Sequence, residues 1–514
     1  MSTSSLQAPT IGIIGGGFCG TMVAVHLLRQ ATTRVHIKLI DRQFALGRGV
    51  AYGTPLDAHL LNVPAGKMSA FPDRYLQSHF LDWLHSLPYA AFTFSEPITA
   101  QSFVPRKLYG QYLQAILQEA IHQSHPQVTF EHIRAEAKAI QRLAEDIVIQ
   151  LSPDRLVSVD RVVLALGNFP PADPFGPVLP FHDSHRYIGN PWAPGALQQV
   201  DPTQPVLLIG SGLSMVDWAI GLYQQGFSQP IQVISRRGLL PYGHQLPYRP
   251  QPSRTPNLPQ SEGSNPALEP YKLDPLAIVE LEQLRSVRRL MAWIRQTIWQ
   301  AEQEGYNWRS VIDLLRPHTA TIWQTLPLAE RRRFLRHVRP YWEIHRHRMA
   351  PKINRTLEQL QESGQLQIRA GRIQYYQKQT DGVEVWVRLR QGGLQSLQVG
   401  TIVNCTGSEC NYRKLRQPLI KQLLQAGLVQ PDPLGLGLKV AANGALIQAD
   451  QRASSWLFTL GAAQKGSLWE TTAVPELRQQ AVTLAQALWQ SLGRENPSCP
   501  GTINHSQQNL RKSV

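Results

Sequence analysis

Two glycine turns are the residues whose types and spacing could do chemistry. The first is Gly15-Gly16-Gly17-Phe18-Cys19-Gly20, directly after the apolar run 11–14. The second is Gly210-Ser211-Gly212-Leu213-Ser214-Met215, directly after the apolar run 206–209. A glycine turn between a buried strand and a helix brings backbone N–H groups and a positive helix end up to a pyrophosphate. In the first turn Gly15 permits the tight bend, Gly17 lets the backbone approach the phosphates, and Gly20 allows close helix–strand packing. Asp41 follows Gly20 by 21 residues, at the end of the apolar run 35–40, with Arg42 after it. An acid at that distance bonds ribose hydroxyls. Two such turns in one chain imply two dinucleotides facing each other, and the natural pair is FAD at the first and a nicotinamide coenzyme at the second.

In the second turn Met215 replaces the third glycine, which weakens the packing signal and leaves phosphate contact intact. The strand after it, 231–235, runs into Arg236 and Arg237. An acid there would select NADH, whereas arginine suits a 2′-phosphate, so the coenzyme reads as NADPH. The glycine-dense stretch 46–54, with Gly49 and Tyr52, and the stretch 59–65, with Asn62, are expected beside the flavin. Asn62 could bond a ring edge there.

The elements that must hold these turns follow from periodicity. Strands are expected at 11–14, 35–40, 161–166, 206–209, 231–235, 401–406 and 456–460. Helices are expected at 20–30, 76–84, 109–120, 214–224 and 474–488. Val287, Leu290, Met291, Ile294 and Ile298 recur at helical spacing within a helical block over 275–363. The stretch 249–275 is rich in Pro, Ser, Asn and Gln and reads as a mobile loop. The fold class is therefore α/β, with two Rossmann-like dinucleotide-binding domains and a helical insertion. The expected divisions are 1–175 and 395–495 for FAD, 176–250 and 351–394 for NADPH, 251–350 for the loop and insertion, and 496–514 for a disordered tail.

At 514 residues the chain is long enough for two or three domains. No apolar run reaches the roughly 18–20 residues that span a bilayer. Residues 1–10 lack a basic leader region, and four cysteines are too few for a disulfide scaffold, so a cytoplasmic protein is expected. The net charge of +15 fits nucleic acid, an anionic surface, or phosphate-rich cofactors with an acidic substrate; a solvated basic face is the plainer alternative. No nucleic-acid motif is present. His345 and His347 have no accompanying cluster beyond Glu343, so no metal is expected. Cys405 and Cys410 have the spacing of a reductase dithiol but the wrong place in the chain, and Cys405 reads as a buried structural thiol.

Taken together, the order of these features is similar to that of two-dinucleotide flavoproteins, with strands closing at Ala165-Leu166-Gly167 and Cys405-Thr406-Gly407. More closely, the stretches 47–70, 104–110, 339–349 (RPYWEIHRHRM) and 466–478 (GSLWETTAVPELR) resemble the bacterial family described as FAD/NAD(P)-binding proteins. That family is related to single-component flavin monooxygenases, including enzymes that N-hydroxylate ornithine, lysine or aspartate. The resemblance implies that Gly167, Gly407, Gly461 and Thr471 lie at the cofactors, and that a helix beginning near Ala473 aims its positive end at the flavin. Ala462 and Ala463 stand where the family often has an acid. The segment 181–187 (FHDSHRY) is similar in type to a His-Ser-rich segment of N-hydroxylases. The implied activity is an NADPH-consuming FAD monooxygenase acting on a small amine or amino acid, with no residue assigned as catalytic. Arg339, Arg346 and Arg348, in the basic run 331–348, are the expected clamp for a substrate carboxylate. An NADPH-dependent reductase and a non-catalytic redox-sensing protein are the alternatives.

Overall fold

The structure is a computed structural model that describes residues 8–88, 97–143, 146–174, 186–245 and 271–493. Most of the expected loop 249–275, the His-Ser-like segment up to His185 and the expected tail lie outside the described residues.

A six-stranded sheet holds the first glycine turn. Its strands are β1 (Thr10–Ile14), β2 (Val35–Ile40), β3 (Val128–Ile133), β7 (Arg161–Leu164), β15 (Ala445–Ile447) and β16 (Ala453–Thr459), in the order β15-β16-β7-β1-β2-β3. All pairs are parallel except β15 with β16. Parallel strands buried on both faces read as unbroken apolar runs, which is why β1, β2 and β7 were legible. On one face Ile11, Ile13, Ile37 and Leu39 pack with α1 (Phe18–Gln30), α4 (Arg106–His122) and α15 (Val474–Ser491). On the other lies a meander of β4 (Glu136–Leu143), β5 (Asp146–Ser152) and β6 (Arg155–Val159), together with α13 (Pro418–Gln425). Short helices α2 (Gly49–Tyr52) and α3 (His79–Ser86) complete this part.

The second sheet has seven strands in the order β13-β12-β11-β10-β9-β14-β8. They are β8 (Tyr187–Ile188), β9 (Val206–Ile209), β10 (Ile231–Ser235), β11 (Leu366–Lys378), β12 (Val383–Leu389), β13 (Leu394–Val399) and β14 (Thr401–Asn404). Strands β8 to β11 and β14 run parallel, while β11, β12 and β13 form an antiparallel edge. Helices α5 (Leu213–Gln224) and α12 (Pro351–Glu362) cover one face with Leu208, Val233, Met215 and Leu357. The sequence places 395–495 in the FAD-binding part, but β13 and β14 put residues 394–404 in this second sheet, β14 pairing with β9.

Between β10 and α12 stand α6 (Pro275–Gln283), α7 (Val287–Gln303), α8 (Trp308–Leu314), α9 (Thr319–Thr325), α10 (Leu328–His337) and α11 (Arg339–Arg346). Val287, Leu290 and Ile294 bury one face of α7, and Met291 and Ile298 pack at its border. No helix among the described residues is long and apolar enough to cross a membrane.

Candidate cofactor and active site

The two glycine turns are built alike, bond for bond. Gly15 N–H donates to the Ile40 carbonyl at 2.9 Å, and Gly210 N–H donates to the Ile234 carbonyl at 2.8 Å. Ala165 N–H reaches the Ile14 carbonyl at 2.8 Å, and Cys405 N–H reaches the Ile209 carbonyl at 2.9 Å. Gly15 (φ +108°) and Gly210 (φ +102°) hold a left-handed backbone, and a Cβ on either would lie 2.2 or 2.6 Å from the carbonyl oxygen of Ala165 or Cys405. Each turn therefore sits where the central strand's two neighbours diverge, at the carboxyl end of β1 or β9. That switch point is where open α/β sheets bind ligands. Gly167 and Gly407, both at positive φ, close the strand beside each turn.

The middle glycines differ in kind from Gly15 and Gly210. A Cβ on Gly17 would meet only the Gly49 Cα, at 3.6 Å, and one on Gly212 would meet nothing within 4 Å. Neither has positive φ. The protein's own packing does not require glycine there, so the open space suits a ligand drawn against the backbone. Gly17 and Gly212 are the N-caps of α1 and α5, without a side-chain cap or an acid in the first turn of either helix. The free N–H groups and the helix dipole fit a pyrophosphate. Gly20 has no such freedom, since its Cβ would lie 1.8 Å from the Gly15 oxygen. Met215 takes that place in α5 and is wholly buried.

Around the first turn, Asp41 accepts from Gly16 N–H at 2.6 Å and from Gln43 N–H at 2.7 Å, while Arg42 is exposed. A carboxylate has about four acceptor positions, which leaves room for ribose hydroxyls. Gly47 N–H donates to the Gly16 carbonyl at 2.7 Å, so the stretch 46–54 lies on the turn, with Gly49 facing Gly17. Tyr52 leans on Tyr109, and Phe18 stacks on Tyr109. Tyr52 and Cys19 are half-buried beside the turn. Gly461 (φ +73°) comes against Cys19, where its Cβ would meet the sulfur at 2.9 Å. Gln480 ties it to Thr471: Gly461 N–H donates to the Gln480 Oε1, and Gln480 Nε2 donates to the Thr471 hydroxyl. The Thr471 hydroxyl donates to the Gly461 carbonyl at 3.0 Å. The fold thus brings Gly15 to Gly20, Asp41, Gly49, Tyr52, Gly167, Gly461 and Thr471 together.

At the second turn the Ser211 hydroxyl donates to the Leu239 carbonyl at 2.6 Å and bonds Ser235. The two arginines part company. Arg236 is exposed, whereas Arg237 lies 5.0 Å over the Tyr341 ring and reaches the carbonyls of Arg336 and His337 at the end of α10. Asn62 stands at the seam between the sheets: its carbonyl accepts from His244 Nε2 at 3.0 Å.

That seam is latched by residues the sequence did not single out. Arg106, at the start of α4, forms a two-pronged pair with Asp217 of α5, at 2.7 and 3.1 Å, with both side chains largely buried. Arg106 also donates to the Leu60 carbonyl, and His59 Nε2 donates to the Asp217 carbonyl. Arg106 lies within the VPRKLYG stretch, where its spacing gives no hint of a partner 111 residues away.

A second seam joins the helical insertion to the segment 464–476. Trp323 Nε1 donates to the Gly466 carbonyl at 2.8 Å, and Trp342 Nε1 donates to Glu470 at 3.0 Å. Arg346 pairs with Glu470 at 2.8 Å with both side chains 9% exposed, and Arg316 grips Glu476 at 2.6 and 2.8 Å. Trp469 is stacked on Trp323 at 4.9 Å and edged by Phe334 at 5.2 Å. Its φ of +61° and ψ of −67°, with Glu470 N–H donating to the Leu468 carbonyl, make a three-residue turn that a bulky residue rarely adopts. The stretches 339–349 and 466–478 are thus two halves of one contact.

The arginines expected to clamp a substrate carboxylate each pair within the chain, while Arg346 Nη2 and Arg348 Nε are buried without a hydrogen-bond acceptor. Arg339 pairs with Glu343 at 2.8 Å, Arg346 with Glu470, and Arg348 with Asp313. Each guanidinium already has a carboxylate of its own chain. Cys405 is buried and its thiol pushed far up by desolvation; Cys19, desolvated beside Gly461, is pushed up to about 12. The cysteines among the described residues are free. No cluster of potential metal ligands occurs among the described residues.

Residues 12–169 match a family model described as FAD-NAD(P)-binding. The L-aspartate N-monooxygenase (nitrosuccinate-forming) of Streptomyces davaonensis is 27% identical over 324 residues, 54% of this chain and 49% of the relative. The chain thus spans about half the length of the curated relative it matches. The ornithine N-hydroxylase of Kutzneria sp. 744, solved with reduced FAD, NADP+ and L-ornithine, superposes with a TM-score of 0.60 at 13% identity, covering 94% of this chain and 99% of that one. The L-lysine 6-monooxygenase of Pseudomonas syringae gives 0.58 at 15%, covering 95% and 100%. The fold is therefore the two-nucleotide α/β fold expected from sequence.

Proposed function

We propose that this protein is an NADPH-consuming FAD monooxygenase that N-oxygenates a small amine or amino acid. The observation that supports this most is the matched pair of cradles, each with a middle glycine that the protein's own packing does not need. The similarity to an L-aspartate N-monooxygenase points to the reaction class.

The N–H groups opening α1 hold the FAD pyrophosphate, and Asp41 takes the ribose hydroxyls of the same molecule. The N–H groups opening α5 hold the pyrophosphate of NADPH, and Arg236 takes its 2′-phosphate. FAD supplies hydride acceptance and oxygen activation when bound. The protein's part is to position and to exclude water. The insertion, joined to 464–476 by Trp323, Trp342, Arg346 and Arg316, would serve that exclusion. Cys405 is buried and its thiol raised by desolvation, which makes the Cys405/Cys410 pair a poor dithiol for a disulfide reductase.

The test is NADPH oxidation by the FAD-loaded protein over a panel of amines, amino acids and keto acids, with oxygen uptake and peroxide followed together. The right substrate should turn peroxide release into N-oxygenated product. If no amine or amino acid does so, while a quinone rapidly reoxidises the reduced protein, a reductase replaces this reading.

A further inference from the structure

The two glycine turns share their backbone bonds, but the strands beside them carry different side chains. Ala165 and Cys405 donate to the central strand in the same way, which sets Leu164 against Asn404 and Leu166 against Thr406. Leu164 and Leu166 pack into the apolar core under the first turn. Asn404 is wholly buried, where an amide is costly unless its donors and acceptor are paired. Its Nδ2 donates to the Ala172 carbonyl at 2.9 Å and to the Tyr187 hydroxyl at 3.4 Å. Its Oδ1 accepts from Thr406 N–H at 3.2 Å and from the Thr406 hydroxyl at 2.6 Å.

These partners fix the direction of every proton. A carbonyl only accepts and a backbone N–H only donates, so the Asn404 amide has one orientation and the Thr406 proton points at Oδ1. The exposed Thr406 oxygen is left as an acceptor, and its lone pairs meet no donor among the described residues. Thr406 stands at the lip of the second turn. A Cβ on Gly210 would lie 3.2 Å from the Thr406 Cα, and one on Gly407 would meet no described atom within 4 Å.

Strand order decides which half of a dinucleotide reaches this lip. In the second sheet β9 stands between β10 and β14. In the assignment above, Arg236 after β10 takes the 2′-phosphate, and the N–H groups opening α5 after β9 take the pyrophosphate. The rest of the coenzyme then continues over the end of β14, onto Thr406. Pyrophosphate oxygens only accept, so they gain nothing from an oxygen that has no proton to give. We propose that Thr406 Oγ1 accepts a hydrogen bond from the nicotinamide half of NADPH, from a ribose hydroxyl or the carboxamide NH2; this rests on the coenzyme assignment above. Asn404, held by Ala172 and Tyr187, is the positioning residue that keeps this oxygen an acceptor.

The experiment is calorimetric titration of the FAD-loaded protein with three ligands. They are NADP+, its 3-acetylpyridine analogue, which lacks the amide NH2, and adenosine 2′,5′-bisphosphate, which lacks the whole nicotinamide half. Thr406→Val keeps the shape and the backbone bond to Asn404 and removes only the oxygen. It should weaken NADP+ about two- to tenfold, as expected for one hydrogen bond, and leave the bisphosphate unchanged. Thr406→Ser should bind both as the native protein does. If Thr406→Val weakens the acetylpyridine analogue to the same degree, the donor is a ribose hydroxyl; if it leaves that analogue unchanged, the donor is the carboxamide. Equal NADP+ affinity in Thr406→Val and the native protein overturns the proposal and leaves the coenzyme assignment standing. An equal loss for NADP+ and the bisphosphate overturns it as well, because the contact would then lie on the adenosine side or in the fold. A native protein that binds neither NADP+ nor the bisphosphate overturns the proposal and the coenzyme assignment together.

Discussion

Among the glycines of the first turn, position decides what a methyl group costs. On Gly17 a Cβ meets only the Gly49 Cα at 3.6 Å, so Gly17→Ala should fold with an unchanged denaturation midpoint and lose at least about tenfold in FAD affinity, read by flavin absorbance after dialysis. On Gly20 it meets backbone oxygen at 1.8 Å, so Gly20→Ala should cost about 1–3 kcal/mol of stability even without flavin. A Gly17→Ala protein that keeps its flavin would remove the pyrophosphate from that turn. The arginines after β10 separate in the same way. Arg236→Ala should cut the preference for NADPH over NADH about ten- to a hundredfold in kcat/KM, whereas Arg237→Ala, whose side chain is bound to α10, should change it little. The glycines and Asp41 were legible because a tight turn admits few residue types. The partners of Arg339, Arg346 and Arg348 were not, because composition reports a charge and not the carboxylate that folding brings to it.

Helices and strands with a strong period were equally legible. The buried runs of β1, β2, β9 and β10 and the spacing within α7 announce themselves. The meander β4 to β6 went unread, although Ile147, Ile149 and Leu151 alternate inward along β5 with period two. No local period shows that α11 and the turn before α15 are one unit, since Arg346 and Glu470 are 124 residues apart. Their contact yields an element-level expectation. Arg346→Met leaves the Glu470 carboxylate buried with Trp342 as its remaining side-chain donor, and should cost about 3–5 kcal/mol in denaturant unfolding. Glu470→Gln, which keeps the shape and can still accept from Trp342, should cost less. Equal, negligible losses in both would mean that the insertion is not anchored there.

In the molecule as a whole, the two nucleotide domains are held at one angle. Arg106 and Asp217, with His59 and His244 at the same seam, leave little freedom for one sheet to turn against the other. A fixed angle suits direct hydride passage across the cleft, which depends on placement within a fraction of an ångström. Asp217→Asn removes the charge and keeps the volume. Stopped-flow reduction of the bound flavin by NADPH should slow at least about tenfold, with flavin content unchanged. An unaltered rate would show that the angle is set elsewhere.

The strand order of the first sheet has a consequence for biosynthesis. β1 ends at Ile14, yet its neighbour β7 is flanked by β16, which ends at Thr459, and α15 covers the same core only after that. At about 5–20 residues per second, roughly 20 to 90 s separate the emergence of the glycine turn from that of the elements that complete its domain. A ribosome-bound chain stopped before β16 should therefore expose the apolar edge of β7 and hold no flavin. Cofactor capture in this protein is then a late event, and FAD scarcity would act on finished chains and not on nascent ones.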